Sequence, residues 1–162
     1  MFENLTRAQY ETLLRQDFAT FAARCFQDLN PQTELAMNWH LEVIAAKLTA
    51  VREGKIRRLI INLPPRHLKS LMASIAFPAW CLGHDPSAQI LCVSYAQDLS
   101  DKLARDCRSI MLSPWYSAVL PDPPRPTPPG SAGVHHHPAG LPARHLHRRG
   151  AHRTRRRHHP DR

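Results

Sequence analysis

No stretch of this 162-residue sequence is long and apolar enough to cross a membrane. The longest nearly apolar run, from Leu71 to Gly83, is shorter than the roughly 18 residues that a spanning helix requires, and it contains Pro78. The first residues also lack the order of basic, apolar and small residues that marks a signal peptide. These absences argue against a membrane partner and against export, and they predict a cytoplasmic protein.

Closely spaced cysteine pairs are absent as well. The four cysteines lie far apart inside apolar segments and form no CxxC motif, at positions Cys25, Cys81, Cys92 and Cys107. This spacing argues against a zinc site and against a disulfide framework. It predicts reduced thiols in a hydrophobic core.

Acidic residues nearly balance basic ones over most of the chain, and the basic excess lies at the C-terminal end. Residues 1–122 carry 13 Lys or Arg and 12 Asp or Glu, whereas residues 123–162 carry nine Arg, no Lys and one Asp. The last forty residues also contain eight Pro and eight His, and they lack Ile, Phe, Tyr, Trp and Met. Because such a segment cannot bury a core, residues 123–162 are predicted to be a disordered tail.

Hydrophobic spacing predicts helices and strands in the remaining sequence. Thr6 and Gln9 have the spacing of a capping box at the start of the first helix. The predicted elements are helices over 7–29 and 34–52, a strand over 59–63, a helix from Lys69 that Pro78 kinks or ends, a strand over 89–95 and a helix over 98–111. Strands that alternate with helices predict an α/β fold with a parallel sheet.

The segment between the first predicted strand and the next helix has the character of a phosphate-binding loop. Its sequence from Leu63 to Ser70 fits the spacing of GxxxxGK[ST], although Leu63 and Leu68 occupy the two glycine positions. Arg66 and His67 add side-chain donors, and Lys69 and Ser70 open the helix. The alternative is a plain exposed turn with solvated side chains.

The strings RRLIINLPPRHLKS and FPAWCLGHDPSAQILCVSYAQDLSDKLARD, with NWHLEVIAAKL upstream, resemble the N-terminal ATPase region of the large terminase subunit of tailed phages and prophages. The resemblance covers about residues 30–121. It implies an incomplete P-loop NTPase (RecA-like/ASCE) domain with a parallel sheet over 57–122, preceded by a helical segment over 1–56. It also implies ATP and Mg²⁺ as cofactors, and double-stranded DNA, the phage portal protein and the small terminase subunit as partners in a bacterial host cell.

The same resemblance implies roles for individual residues, because that family replaces the glycine-rich loop with a PPRHxKS variant. Lys69 would contact the β- and γ-phosphates, Ser70 would hold Mg²⁺ and Arg66 would sense phosphate. His67 and Leu68 complete the loop. Trp39, with Asn38 and His40, lies where the family binds the nucleotide base, although its spacing also places it on the core face of the second helix.

No two acidic residues are adjacent anywhere in the sequence. The resemblance therefore stops before a Walker B segment, in which one carboxylate positions Mg²⁺ and its neighbour orients water. At 18.4 kDa the chain also has no room for the family's nuclease domain. These absences predict phosphate binding without efficient hydrolysis, and they predict that the missing strands leave apolar faces exposed.

Three interpretations of residues 123–162 stay open. The arginines could bind nucleic acid non-specifically, which makes a small basic nucleic-acid-binding protein the alternative function. The run His135–His137 could bind a transition metal. Alternatively, the segment is a terminase gene read in the wrong frame after about residue 122, because shifting Pro142–His159 by one base permits RLATSTGGVLTGRGADII, which resembles the family segment before Walker B.

Overall fold

A computed structural model describes residues 5–120 and 134–138 of the chain. The described residues form six α-helices, one π-helical segment and two short strands. In chain order they are α1 (Arg7–Gln16), α2 (Phe18–Leu29), α3 (Trp39–Arg52), the π-helical segment (Leu71–Ala76), α4 (Phe77–His84), β1 (Ile90–Ser94), α5 (Gln97–Leu112), α6 (Pro114–Val119) and β2 (Val134–Pro138).

Two capped helices stand where one long helix was predicted. Thr6 and Gln9 form the predicted capping box, because the Thr6 hydroxyl accepts from the Gln9 amide and the Gln9 side chain accepts from the Thr6 amide. The helix ends at Gln16, and the Asp17 carboxylate then accepts from the Thr20 amide at 2.8 Å to begin α2. The prediction of one helix over 7–29 is therefore wrong at Asp17, which is a strong N-cap residue.

The core lies around α2, which packs against α1, α3, the π-helical segment, α4 and α5. Large aromatic side chains fill it, and the most deeply buried of these are Phe18, Phe21, Trp80 and Tyr116. The Tyr116 hydroxyl donates to the Ala79 carbonyl at 2.7 Å, which satisfies the buried hydroxyl and joins α6 to α4.

The helix that starts at Lys69 passes through Pro78 instead of stopping there. Pro78 has no N–H for the carbonyl of Ser74, and its ring would collide with that carbonyl in a regular α-helix. Residues Leu71–Ala76 form a π-helix, and the Phe77 amide donates to the Met72 carbonyl, five residues back. The wider turn accommodates Pro78, after which α4 continues to His84.

The predicted parallel-sheet domain does not form in the described residues, so the α/β prediction is wrong. Residues 59–63 belong to no strand, although Leu59, Ile61 and Leu63 pack against the core. The only sheet in the described part of the chain pairs β1 with β2 in parallel, in the register Ile90 with Val134. The described residues are therefore mainly helical, and no described strand lies beside residues 59–63.

The outer face of β1 is open. Helix α5 packs against both strands on one side. On the other side Leu91, Val93 and Tyr95 are more than half exposed, as is Ile60 in the preceding extended segment. Exposed apolar faces were predicted from the missing strands. The predicted disordered tail lies outside the described residues, except for the five residues of β2.

All four cysteines are free thiols, as predicted. Cys25 and Cys107 are buried, whereas Cys81 and Cys92 are half-buried. Among the described helices, none has both the length and the apolar character that crossing a bilayer demands.

Candidate phosphate-binding site

The loop before the π-helical segment has an unusual backbone conformation. Arg66 and Leu68 have φ angles of 66° and 56°, which places two residues with side chains in the left-handed region. Leu68 occupies the second glycine position of the phosphate-binding pattern, where glycine ordinarily supplies this conformation without strain. Alternation of right- and left-handed residues turns successive amides toward one side of a loop and forms an anion-binding concavity. Strain of this kind concentrates at functional sites.

Lys69 closes this loop on itself. Its ammonium group donates to the Leu63 carbonyl at 2.6 Å and to the Pro64 carbonyl at 2.7 Å. An ammonium group has three donors, so one N–H remains beyond these two hydrogen bonds. Lys69 therefore fixes the curvature of the loop and keeps a positive charge at the start of the helix.

The first turn of the helix carries backbone donors without helical acceptors. The Met72 amide is the first to bond back into the turn, to the Leu68 carbonyl at 3.0 Å. The amides of the three preceding residues, Lys69 to Leu71, therefore have no acceptor within the helix. Ser70 is exposed and its hydroxyl makes no capping hydrogen bond. These are the donors and the hydroxyl that the predicted phosphate and Mg²⁺ contacts require.

A cavity of about 500 Å³ opens beside the loop. This volume lies within the range of small-molecule sites. Its walls come from the loop itself, from the end of α2, from the π-helical segment and from α5. The lining residues are Phe26, Leu29, Asn30, Pro65, Arg66, His67, Leu68, Lys69, Ser70, Leu71, Ile75, Leu99, Lys102, Leu103 and Asp106. Five of the six predicted site residues therefore meet at one cavity.

Trp39 does not line the cavity and does not belong to the core. Its side chain is 74% exposed at the start of α3, so its placement on the core face is wrong. It is connected to the loop through other rings, because Trp39 contacts His40 edge-on at 6.1 Å and His40 contacts His67 at 5.5 Å between centroids. The His67 Nδ1 atom lies 2.8 Å from the Pro65 carbonyl and donates to it.

The cavity is lined by more positive than negative charge. The charged side chains that line it are three cations, those of Arg66, Lys69 and Lys102, and one carboxylate, that of Asp106. Lys102 and Asp106 were not predicted as site residues, because their positions on α5 are typical of a solvent-exposed helix surface. No local signal marks them, since only the packing of α5 against the π-helical segment brings that surface to the loop.

The described residues contain no group of three side chains suited to holding a metal by themselves. Mg²⁺ is commonly held by one or two protein oxygens together with phosphate and water, which is a role that the exposed Ser70 hydroxyl fits.

Comparison of the chain with family models, with curated proteins and with solved structures gives no match.

Proposed function

We propose that the Leu63–Ser70 loop binds the phosphates of ATP with Mg²⁺, and that the chain is the ATP-binding N-terminal portion of a phage terminase large subunit in the bacterial cytoplasm. The observation that carries the proposal is the pair of left-handed residues, Arg66 and Leu68, directly before a helix start that borders a cavity. A plain exposed turn has no need to hold two residues with side chains in this conformation.

Three loop residues have distinct parts in this proposal. The Lys69 ammonium neutralises phosphate charge, and the Ser70 hydroxyl supplies an oxygen to Mg²⁺. Arg66 adds a guanidinium group, whose planar donors suit phosphate oxygens. Bound ATP would contribute the phosphate oxygens that complete the Mg²⁺ shell. Trp39 is exposed at the start of α3, where it is accessible to the nucleotide base.

Binding without turnover is the activity proposed for this chain. The sequence has no adjacent acidic pair, and the cavity is lined by the single carboxylate of Asp106, which is held in an ion pair with Lys102. Efficient hydrolysis needs a group that orients the attacking water as well as one that positions Mg²⁺. Packaging of double-stranded DNA with the portal protein and the small subunit belongs to the complete family enzyme.

Lys69→Ala is expected to weaken MgATP binding by about 10- to 100-fold, because it removes a charge-assisted hydrogen bond to phosphate. Isothermal titration of the full chain measures the change. Circular dichroism spectra of the two proteins check that the variant keeps its helices. If the wild-type chain and Lys69→Ala bind MgATP with equal affinity, the loop does not bind the phosphates and the proposal is wrong.

A matched pair of variants at Leu68 tests the backbone conformation itself. Leu68→Gly should keep MgATP binding, because glycine adopts a positive φ without the penalty of about 1–2 kcal/mol that a side chain carries. Leu68→Val should weaken binding, because a β-branched side chain strongly disfavours this conformation. Equal affinities for the two variants would show that the loop conformation does not matter for binding.

The alternative function rests on the nine arginines of residues 123–162. If these bind nucleic acid, replacing Arg155, Arg156 and Arg157 with serine should weaken DNA binding equally for all sequences. It should also reduce the slope of log affinity against log salt by about three. Fluorescence anisotropy with labelled duplex DNA measures both effects. An unchanged salt slope would exclude these arginines as phosphate contacts.

A further inference from the structure

The cavity beside the loop has a second positively charged wall that the proposed function does not use. Lys102 lies on α5 and lines the same cavity as Lys69, which lies on the loop. The Lys102 ammonium group is 2.6 Å from the carboxylate of Asp106, which lies one helical turn further along α5. The charge of Lys102 is therefore neutralised locally while the carboxylate is its partner.

This ion pair is easy to break. The Lys102 side chain is 63% exposed, so water and salt screen its interaction with Asp106. The order of charges along the helix is also the weaker one, because an acidic residue four positions before a basic residue is preferred to the reverse. A more highly charged anion in the cavity can thus replace Asp106 as the partner of Lys102.

We infer that Lys102 is a specificity-determining residue that makes the cavity select polyphosphates over a single phosphate, with Asp106 holding it in the ligand-free chain. The inference rests on the proposed function and names its ligand class. A single phosphate at the loop engages Lys69 and the backbone amides and leaves the Lys102–Asp106 pair intact. A chain of phosphates extends from the loop wall toward α5, where its additional charge attracts Lys102 away from Asp106.

Inorganic tripolyphosphate and orthophosphate are the probes that test this inference by isothermal titration of the full chain at low salt. Lys102→Met should weaken tripolyphosphate binding by about three- to fivefold, as expected for one partly screened charge pair, and should leave orthophosphate binding unchanged. Asp106→Asn should strengthen tripolyphosphate binding by a similar factor, because it releases Lys102. The gain should vanish when Asp106→Asn is combined with Lys102→Met.

Two control variants match these changes in charge on the same helix. Arg105→Met and Asp101→Asn alter exposed residues that do not line the cavity, so both should bind tripolyphosphate as the wild-type chain does. If Lys102→Met and Asp106→Asn behave like these controls while Lys69→Ala loses binding, the inference is wrong and the proposed function stands. If Lys69→Ala binds normally while Lys102→Met does not, the loop proposal is wrong and the α5 wall binds the anion. A wild-type chain that binds neither probe contradicts both.

Discussion

Replacing Phe18 with alanine is expected to lower the free energy of unfolding by about 3–5 kcal/mol. Phe18 is 1% exposed at the first position of α2, and its ring contacts Phe77 and Trp80 at centroid distances of 5.7 and 5.2 Å. Truncation removes the aromatic contacts of α2 with α4 and leaves a cavity that a close-packed core cannot fill. Since a whole domain is stabilised by only about 5–15 kcal/mol, the variant should be close to unfolding.

Urea denaturation followed by circular dichroism measures this loss. Ile60→Ala is a suitable control, because Ile60 is 92% exposed and its truncation should change stability by less than about 0.5 kcal/mol. Phe18→Leu should fall between the two variants and remains measurable if the alanine variant does not fold. A cost for Phe18→Ala as small as that for Ile60→Ala would contradict the central position of α2 in the core.

The helices that could be predicted are those whose signals are local. Capping at Thr6 and the periodic apolar residues of α5 are sufficient to place those elements, and both are observed. The break at Asp17 was also encoded locally, since Asp is a preferred N-cap, but a continuous apolar pattern on both sides concealed it. Local signals thus determine helix ends as well as helices, provided that each capping residue is considered.

Trp39 illustrates how a large apolar residue can lie on the exposed face of a helix. The buried positions of α3 include Leu41, and two residues along an α-helix are separated by about 200°. Trp39 is therefore on the opposite side from Leu41 and points away from the core. The angle between Trp39 and Leu41 is the same in a helix drawn from residue 34, so the exposed position of Trp39 follows from its spacing to Leu41 and not from where α3 begins.

The prediction of a parallel-sheet domain was wrong because local signals do not show whether a strand has a partner. Residues 59–63 have the alternating burial of a strand, with Ile60 exposed between Leu59 and Ile61, yet no described strand lies beside them. The helix start at Lys69 was predicted from local apolar spacing, and it is observed. The part of the cavity that Lys102 lines was not predicted, because the loop and α5, which meet there, are distant in sequence.

Buried thiols make stability sensitive to alkaline pH. Burial of the Cys107 side chain raises its pKa from 9.0 to about 12, with the negative charges of Cys92 and Asp106 as additional causes. Burial also raises the pKa of Cys81, to about 11, and raises that of Cys25 well above its ordinary value. The folded chain therefore keeps these thiols protonated over a pH range in which the unfolded chain loses their protons.

The stability of the folded chain decreases as these thiols ionise in the unfolded chain. Below pH 9 the thiols are protonated in both states, so their contribution to stability is complete. As the pH rises from 9 toward 12, the unfolded state ionises first, and each buried thiol removes about 1.4 kcal/mol of stability for each pH unit. With at least two such thiols, the chain should lose about 5 kcal/mol of stability between pH 9 and pH 11, a large part of the roughly 5–15 kcal/mol that stabilises a whole domain.

Urea midpoints at pH 8.0, 9.5 and 10.5 test this expectation, under reducing conditions that prevent disulfide formation. Cys107→Ala removes one ionising thiol, so its stability should fall with pH less steeply than that of the wild-type chain by about 1.4 kcal/mol per unit. Cys81→Ala should flatten the curve in the same way only up to about pH 11, because the Cys81 thiol ionises in the folded state beyond that value. If the wild-type chain and Cys107→Ala lose stability in parallel, Cys107 ionises as readily in the folded chain as in the unfolded one. The burial of Cys107 on the inner face of α5 would then be wrong.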